Sequence, residues 1–434
     1  MAGFLGMRGT GDWGTDERPQ SYREMILYMF PNGSAPLTAI LAGIGNDTVS
    51  DPQYHWWVKD LPQQGVTVTS VFVNVDLTTA YVYATHQATL GIAGETVHAQ
   101  MAEADADNFR IGHQVLLRDA SRLDVDIQGI ATGVIKAGAN SVVSVKLLEA
   151  DDNSSDSTNF SLATVDTALI IGNANTEGAT APDAVTYDPT KHTNYTQIFR
   201  TPFEMTETAK ATSSRTGDLK ARFTKENLDL HSIEMEKAFI FGVSSENTVN
   251  GKLRRTTAGI GTIARTHANA TSSDYTTDST YSGQSWIAGG ETWFDTQLEA
   301  IFRYGRTEKL AFCGSGAMLG LQRLAKSYGN INLTPMSASY GLKVVQWVTP
   351  FGTLFLKTHP LFSYETTNQN AMLICEPQSL TYRYLKGRDT DLLENRQAND
   401  ADAELDEYLT EAGLEYDNPR RLGWLTGLNT TNTA

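Results

Sequence analysis

The stretch Phe312-Cys313-Gly314-Ser315-Gly316 holds residue types that a small active site uses. It lies where a predicted strand runs into a predicted helix, a context in which N-terminal helix amides can cradle a phosphate. The spacing does not fit that chemistry. Gly314-x-Gly316 is followed by Gly320, one residue too late for GxGxxG, and the chain has no GKS or GKT. Nor is the stretch GxSxG, so it is no nucleophile elbow. An ordinary strand-to-helix turn accounts for it. Cys313 then reads as a small buried residue at a strand end, not as a thiolate beside a base.

Other candidates fare the same way. The eight histidines, at 55, 86, 98, 113, 192, 231, 267 and 359, contain no HExxH and no i, i+4 pair, so the usual zinc spacing is missing. Asp105-Ala106-Asp107-Asn108 opens like a calcium loop but lacks the glycine at position six and the distal Glu, and it reads as a solvated turn. No cofactor and no metal is expected. Glu234 and Glu236 read as solvent or interface charges that could pair with arginines of a neighbouring subunit. With no catalytic arrangement in so long a chain, the expected class is a structural protein and not an enzyme.

The chain has 434 residues, 40% of them hydrophobic, and a formal net charge of −16. That length allows two or three packed units. The acidic balance argues against broad nucleic-acid adhesion, which needs clustered Lys and Arg. The longest basic runs are the pairs Arg254-Arg255 and Arg420-Arg421. Such a surface suits a container that lies near DNA without sticking to it. No apolar run is long enough for a transmembrane helix, and the first residues lack the pattern of a secretory signal. Two cysteines, Cys313 and Cys375, fit a reducing compartment without a disulfide framework.

The elements that would position these residues follow from periodicity. Residues 1–65 read as an irregular arm with one helical piece at Ser21–Phe30. Residues 66–185 hold short alternating runs (VTVTSVFVNVDL, AYVYATH, ETVHAQM, HQVLLRD, DVDIQGIATGVI, SVVSVKLLE, TALIIGNA), which predict a β-rich barrel or sandwich. From Tyr195 to Ala209 the pattern has period two, with Phe199, Phe203 and Met205 on one face and Arg200, Glu204 and Thr206 on the other. Pro202 cannot donate to a ladder, so this strand should lie at an edge. A helix is expected over 216–241. Ser213, Ser214 and Thr216 are its cap candidates, Asp218 sits at its positive end, Leu219, Phe223, Leu230 and Ile233 form its stripe, Met235 and Phe239 continue the apolar surface, and Gly242 stops it. A helix of roughly 25 residues spans about 37 Å. NTVNGKLRRTTAGIGTI reads as a loop and THANATSSDYTTDSTYSGQS as a mobile segment. Beyond them, the predicted elements are helices at Trp293–Tyr304 and Ala317–Tyr328, a strand at Lys309–Cys313, a hairpin turning near Pro350-Phe351-Gly352, strands in AMLICEPQSLTYRYLKG, and C-terminal strands.

This order of elements resembles the Hong Kong 97-type fold of tailed-phage major capsid proteins, and more narrowly the major head proteins of certain short-tailed phages. The likeness rests on Tyr195-Thr196-Gln197-Ile198-Phe199-Arg200-Thr201-Pro202 with Glu204-Met205-Thr206-Glu207-Thr208. It rests also on Ser232-Ile233-Glu234 to Ala238-Phe239-Ile240-Phe241-Gly242 with Arg255-Thr256-Thr257-Ala258-Gly259-Ile260, on Thr349-Pro350-Phe351-Gly352, and on Leu392-Leu393-Glu394 to Glu411-Ala412-Gly413-Leu414-Glu415 and Asn418-Pro419. It implies an α+β chain in five parts. These are an N-terminal arm (1–65), an extended loop with a β-rich insertion (66–192), the return strand and spine helix of a peripheral domain (193–245), an axial domain with connecting elements (246–372), and peripheral return and C-terminal strands (373–434). The implied function is self-assembly as hexamers and pentamers into an icosahedral head around double-stranded DNA. Portal and scaffolding proteins, and a decoration protein, would be partners; there would be no membrane, and assembly would occur in the host cytoplasm. Phe199, Arg200, Phe203, Glu204, Glu234 and Glu236 become the expected assembly-interface residues. The alternatives are an encapsulin-like bacterial compartment shell, whose cargo would be an enzyme, and a β-rich carbohydrate-active or nucleotide-binding enzyme.

Overall fold

The computed structural model describes residues 36–44, 46–59, 65–120, 122–151, 161–178, 180, 182, 184–212, 218–328, 334–337 and 343–434. The helix expected at Ser21–Phe30 lies outside them, as do Ser213, Ser214 and Thr216. Two compact units emerge, one from residues 1–58 with 191–434 and one from 59–190.

In the larger unit the period-two segment forms a strand at Gln197–Thr206. It is the edge of a sheet ordered Asn46–Val49, Leu380–Leu385, Ala403–Tyr416, Gln197–Thr206, with Asp391–Leu393 also pairing on the long strand. The edge position expected from Pro202 is therefore found. Against this sheet lies a spine helix at Leu219–Phe241, about 35 Å long at 1.5 Å per residue. Its N-cap is Asp218, whose side chain accepts a hydrogen bond from the Lys220 amide. Its buried stripe is His231, Met235, Glu236, Phe239 and Ile240. Of the apolar surface expected along this helix, Met235 and Phe239 are buried, Leu219, Phe223 and Ile233 are only half-buried, and Leu230 is half exposed. Gly242 ends the helix for want of space and not for backbone freedom. Its φ is −59°, but a Cβ would sit 2.4 Å from the Ala238 carbonyl and 2.5 Å from that of Thr257.

A second sheet of this unit runs Thr271–Asp274, Gly423–Thr426, Met372–Cys375, Glu308–Cys313, Gly352–Thr358, Lys343–Thr349, Thr334–Ser337. The expected hairpin is present, with Thr349 opposite Gly352 across Pro350-Phe351. Helices Trp286–Phe302 and Ser315–Tyr328 supply Trp293, Phe294, Leu298 and Leu321 to its core.

Several expectations are corrected. Residues 36–44 are helical and Gln53–Val58 is a strand paired with Thr190–Tyr195, so the first 65 residues are not irregular throughout. NTVNGKLRRTTAGIGTI is no loop: Ser245–Val249 and Lys252–Thr256 form a hairpin, followed by a helix at Ile260–Thr266. Asn250 and Gly251, with φ of 51° and 74°, make the turn that an Asn-Gly pair favours. The polar segment after Thr266 is held in place, because Thr271–Asp274 pairs with Gly423–Thr426 and Tyr275 is fully buried.

The smaller unit is antiparallel β, in the order Gly65–Thr67, Thr167–Asn173, His113–Asp119, Arg122–Ile135, Ser141–Leu147, Thr96–Met101, Ser70–Phe72. The predicted run from Val66 changes partner midway. Its start pairs with Thr167–Asn173 and its end with Thr96–Met101, while the Val68 and Thr69 amides donate to the Asp166 and Gln100 carbonyls. The sheet thereby closes on itself as a small barrel around Val97, Met101, Val115, Leu117, Ile127, Val143 and Val145. AYVYATH is not a strand: after a single bridge at Ala80 it turns into a short helix at Tyr83–His86, held by the Val82 amide donating to His86 Nδ1.

Gly242→Ala should overpack this junction. Such overpacking typically costs about 1–3 kcal/mol. The expected outcome is a lower melting temperature by circular dichroism with unchanged helix content at 25 °C.

Candidate assembly surface

Along the edge strand, burial alternates strictly. Phe199, Thr201, Phe203 and Met205 face inward, and Ile198, Arg200, Pro202, Glu204 and Thr206 face outward. The inner rings lock the strand to the helix and the long strand. Phe199 packs edge-on to Phe239 at 6.1 Å, and Phe203 lies 6.4 Å from Tyr408. Between them, His231 bonds Thr201 Oγ1 through Nδ1 and Thr410 Oγ1 through Nε2, each at 2.8 Å. Burial holds the His231 imidazole below its ordinary pKa.

Arg200 and Glu204 are exposed, as expected. Arg200 is also tied within its own subunit, pairing with Glu407 on the long strand, which Arg396 approaches at 3.4 Å. The same outer face carries Arg388 on Glu411 and Arg383 on Glu415, each at 2.6 Å. Residues 407, 411 and 415 recur every four, so a strand places them on one face. That spacing was legible in the sequence; the arginines that meet them come from four other segments and were not. On the opposite face, Glu404 accepts from Lys210 at 2.8 Å and from Lys220. These two ammonium groups hold its carboxyl below the usual range.

Glu234 and Glu236 part company. Glu234 is exposed and within 3.3 Å of Thr201 Oγ1. Glu236 is 0% exposed and so is not available to a neighbour, contrary to expectation. Its Oε1 accepts from the Leu37 amide (2.8 Å) and from His359 Nε2 (2.8 Å); its Oε2 accepts from the Thr38 amide (2.7 Å) and hydroxyl (2.6 Å). Two residues along a helix from Glu234 is 200° of rotation, so the pair face opposite ways. The carboxylate caps the helix at Pro36–Ile44.

The Cys313–Gly316 turn is filled by the chain itself. The Ala317 amide donates to the Gln369 carbonyl and the Gly314 amide to that of Ala371. A Cβ on Gly316 would lie 2.0 Å from Asn370 Oδ1. Two of the turn's amides are thus engaged by the chain itself, and Asn370 fills the space beside Gly316. Burial drives the Cys313 thiol well above its normal pKa and pushes Cys375 up to about 12. Among the described residues, no cluster of three or more His, Cys, Asp or Glu could hold a metal, and no helix is long and apolar enough to cross a membrane.

What the surface offers instead is apolar side chains at strand edges and turns: Trp57, Ile198, Val243, Val348 and Tyr364 are each more than half exposed. Scattered singly, such residues are ordinary on a protein surface, and they leave apolar side chains open to contacts with other chains. The chain belongs to the SU10 major capsid protein family, whose model matches residues 7–429. A similar protein is a major capsid protein of Pseudomonas phage PaMx41, 26% identical over 431 residues, spanning 94% of this chain and 92% of that one. Among solved structures, the capsid of the native GTA particle has a TM-score of 0.43 at 9% identity, with 94% of each chain covered. The SrpI encapsulin of Synechococcus elongatus has a TM-score of 0.38 at 12% identity, covering 57% of this chain and 78% of its own. The function is that of a phage major capsid protein, and its location is the virion head.

Removing the Glu236 carboxylate should be costly, because it strands two amides and an imidazole in the interior. Leaving a buried donor unpaired costs about 1–3 kcal/mol. Glu236→Ala should lower the melting temperature, whereas exposed Glu234→Ala should leave it unchanged.

Acidification should also weaken the fold. His231 and Glu404 both have folded pKa values below their unfolded ones of 6.5 and 4.5, so the unfolded chain binds more protons and stability falls with pH. Stability is complete above about 6.5, declines first through His231 and then, below about 4.5, through Glu404. Melting temperatures measured from pH 7.5 to 4 should show both steps, and His231→Gln should reduce the first, to which His98 and His113, also held low by burial, contribute the rest.

Proposed function

We propose that copies of this chain assemble as hexamers and pentamers into a closed icosahedral shell that encloses double-stranded DNA. The family match across residues 7–429 carries this reading. The net charge of −16 supports it, since a wall of that sign does not adhere to packaged DNA. The assembly would occur in the host cytoplasm with a portal and a scaffolding protein, and with a decoration protein where one exists. The subunit acts through its surfaces and not by catalysis. In the five-part division, the strand at Gln197–Thr206 is the return limb of an extended loop that carries the unit at 59–190. Arg200, Glu204 and Glu234 meet neighbours, while Phe199 and Phe203 hold the strand from within. The compartment-shell alternative is not favoured, because the family that matches is one of phage capsids.

Truncating a buried Phe typically costs about 3–5 kcal/mol. Phe203→Ala should leave a soluble folded subunit that yields few closed particles, because every copy carries the displaced strand. Arg200→Ala should change particle yield little, because a solvent-exposed charge pair contributes only about 0–1 kcal/mol. Sedimentation and electron microscopy of the two variants check both outcomes. A normal particle yield from Phe203→Ala would remove the anchoring role.

A further inference from the structure

Hairpin Ser245–Thr256 is exposed on both faces, from Glu246 to Arg254, with Val249 and Leu253 open to solvent. A lone two-stranded hairpin is marginal in water, so this one calls for a covering surface. It carries three basic residues, Lys252, Arg254 and Arg255, against one acidic residue, Glu246, in a chain of net charge −16. Glu246 is taken by Arg255 at 2.6 Å, which leaves Lys252 and Arg254 as the outward charge. Its base adjoins the start of the edge strand, where the Thr257 amide donates to Gln197 Oε1.

The other end of that strand is acidic. Glu394, Asp400 and Asp402 are exposed there. The Asp402 carbonyl accepts from the Glu207 amide, and the Asn395 amide donates to Asp406, so the loop sits at the Thr206 end. Ten residues of strand separate the two features, about 30 Å at 3.3 Å per residue. One subunit thus carries opposite charges at opposite ends of one rigid strand. An antiparallel two-fold contact would satisfy both ends, pairing each hairpin with the other copy's loop, but it stops at a dimer and builds no shell. A head-to-tail contact satisfies them, and such contacts form rings when the rotation closes.

We propose that the hairpin at Ser245–Thr256 docks on the acidic loop around Glu394, Asp400 and Asp402 of a second copy of this chain, and that this head-to-tail contact builds the ring of subunits. The inference rests on the shell-forming reading. The test uses full-length chains. Lys252→Glu/Arg254→Glu and Asp400→Lys/Asp402→Lys should each fold with an unchanged melting temperature and each lose at least tenfold in particle yield. The chain carrying all four changes should assemble, because each reversed end then meets a complementary one on every neighbour, in pentamers as well as hexamers. Normal yield from either double variant, or no particles from the chain carrying all four changes, overturns the proposal while leaving the shell reading intact. Failure of the wild-type chain, produced together with its scaffolding protein, to form particles would instead overturn the shell reading.

Discussion

A carboxylate sealed inside a protein costs several kcal/mol unless its lone pairs are met. Glu236 is wholly buried on the spine helix and is met by four donors. They come from residues 37–38 and 359, which lie 199, 198 and 123 positions away in the chain. The Leu361 amide donates to His359 Nδ1, so the Nε2–H is the one turned to the carboxylate. Satisfying one charge therefore pins the helix at Pro36–Ile44, the spine helix and the turn after Gly352–Thr358 to a single geometry. The larger hydrophobic core, including Leu37, Leu41, Phe239, Ile240 and Phe362, is assembled around that point.

From the spine outward, the sheet is organised by one strand. Ala403–Tyr416 pairs with three others and presents Tyr408, Thr410, Ala412 and Leu414 to the helix. Its outward carboxylates are nearly buried, yet each has a cation from another segment: Arg200, Arg388, Arg383. Isolated surface pairs contribute little, but these cross strands and so also fix register. The edge strand beyond it carries Pro202 at its centre, which removes a donor where another strand would pair. The edge is thus left for side-chain contacts such as Ile198 and not for added strands.

The smaller unit handles its edges differently. Because residues 65–72 pair with a different strand at each end, the sheet has no long open edge, and its core is filled by side chains of that unit alone. A unit stabilised in this way can be carried within a longer chain without drawing on its host's core.

Local patterns settled much by themselves. Period two at 197–206 gave the strand and its faces, Pro202 gave its edge position, and alternation gave most strands of the barrel. The absence of workable spacings around Ser315 removed a phosphate site, which the packed loop at 368–371 then explained. Asn250-Gly251 was a readable hairpin signal that polar composition obscured. Tertiary structure decided what depends on partners far along the chain. Glu236 and Glu234 look alike in the sequence, yet one is the buried centre of the subunit and the other is exposed, because 3.6 residues per turn separates them onto opposite sides and only the fold brings residues 37–38 and His359 over the side that carries Glu236. Likewise Leu219, Phe223, Leu230, Ile233, Met235 and Phe239 share core-like spacing, but only Met235 and Phe239 are buried, so which apolar residues are core and which remain near the surface was fixed by packing alone.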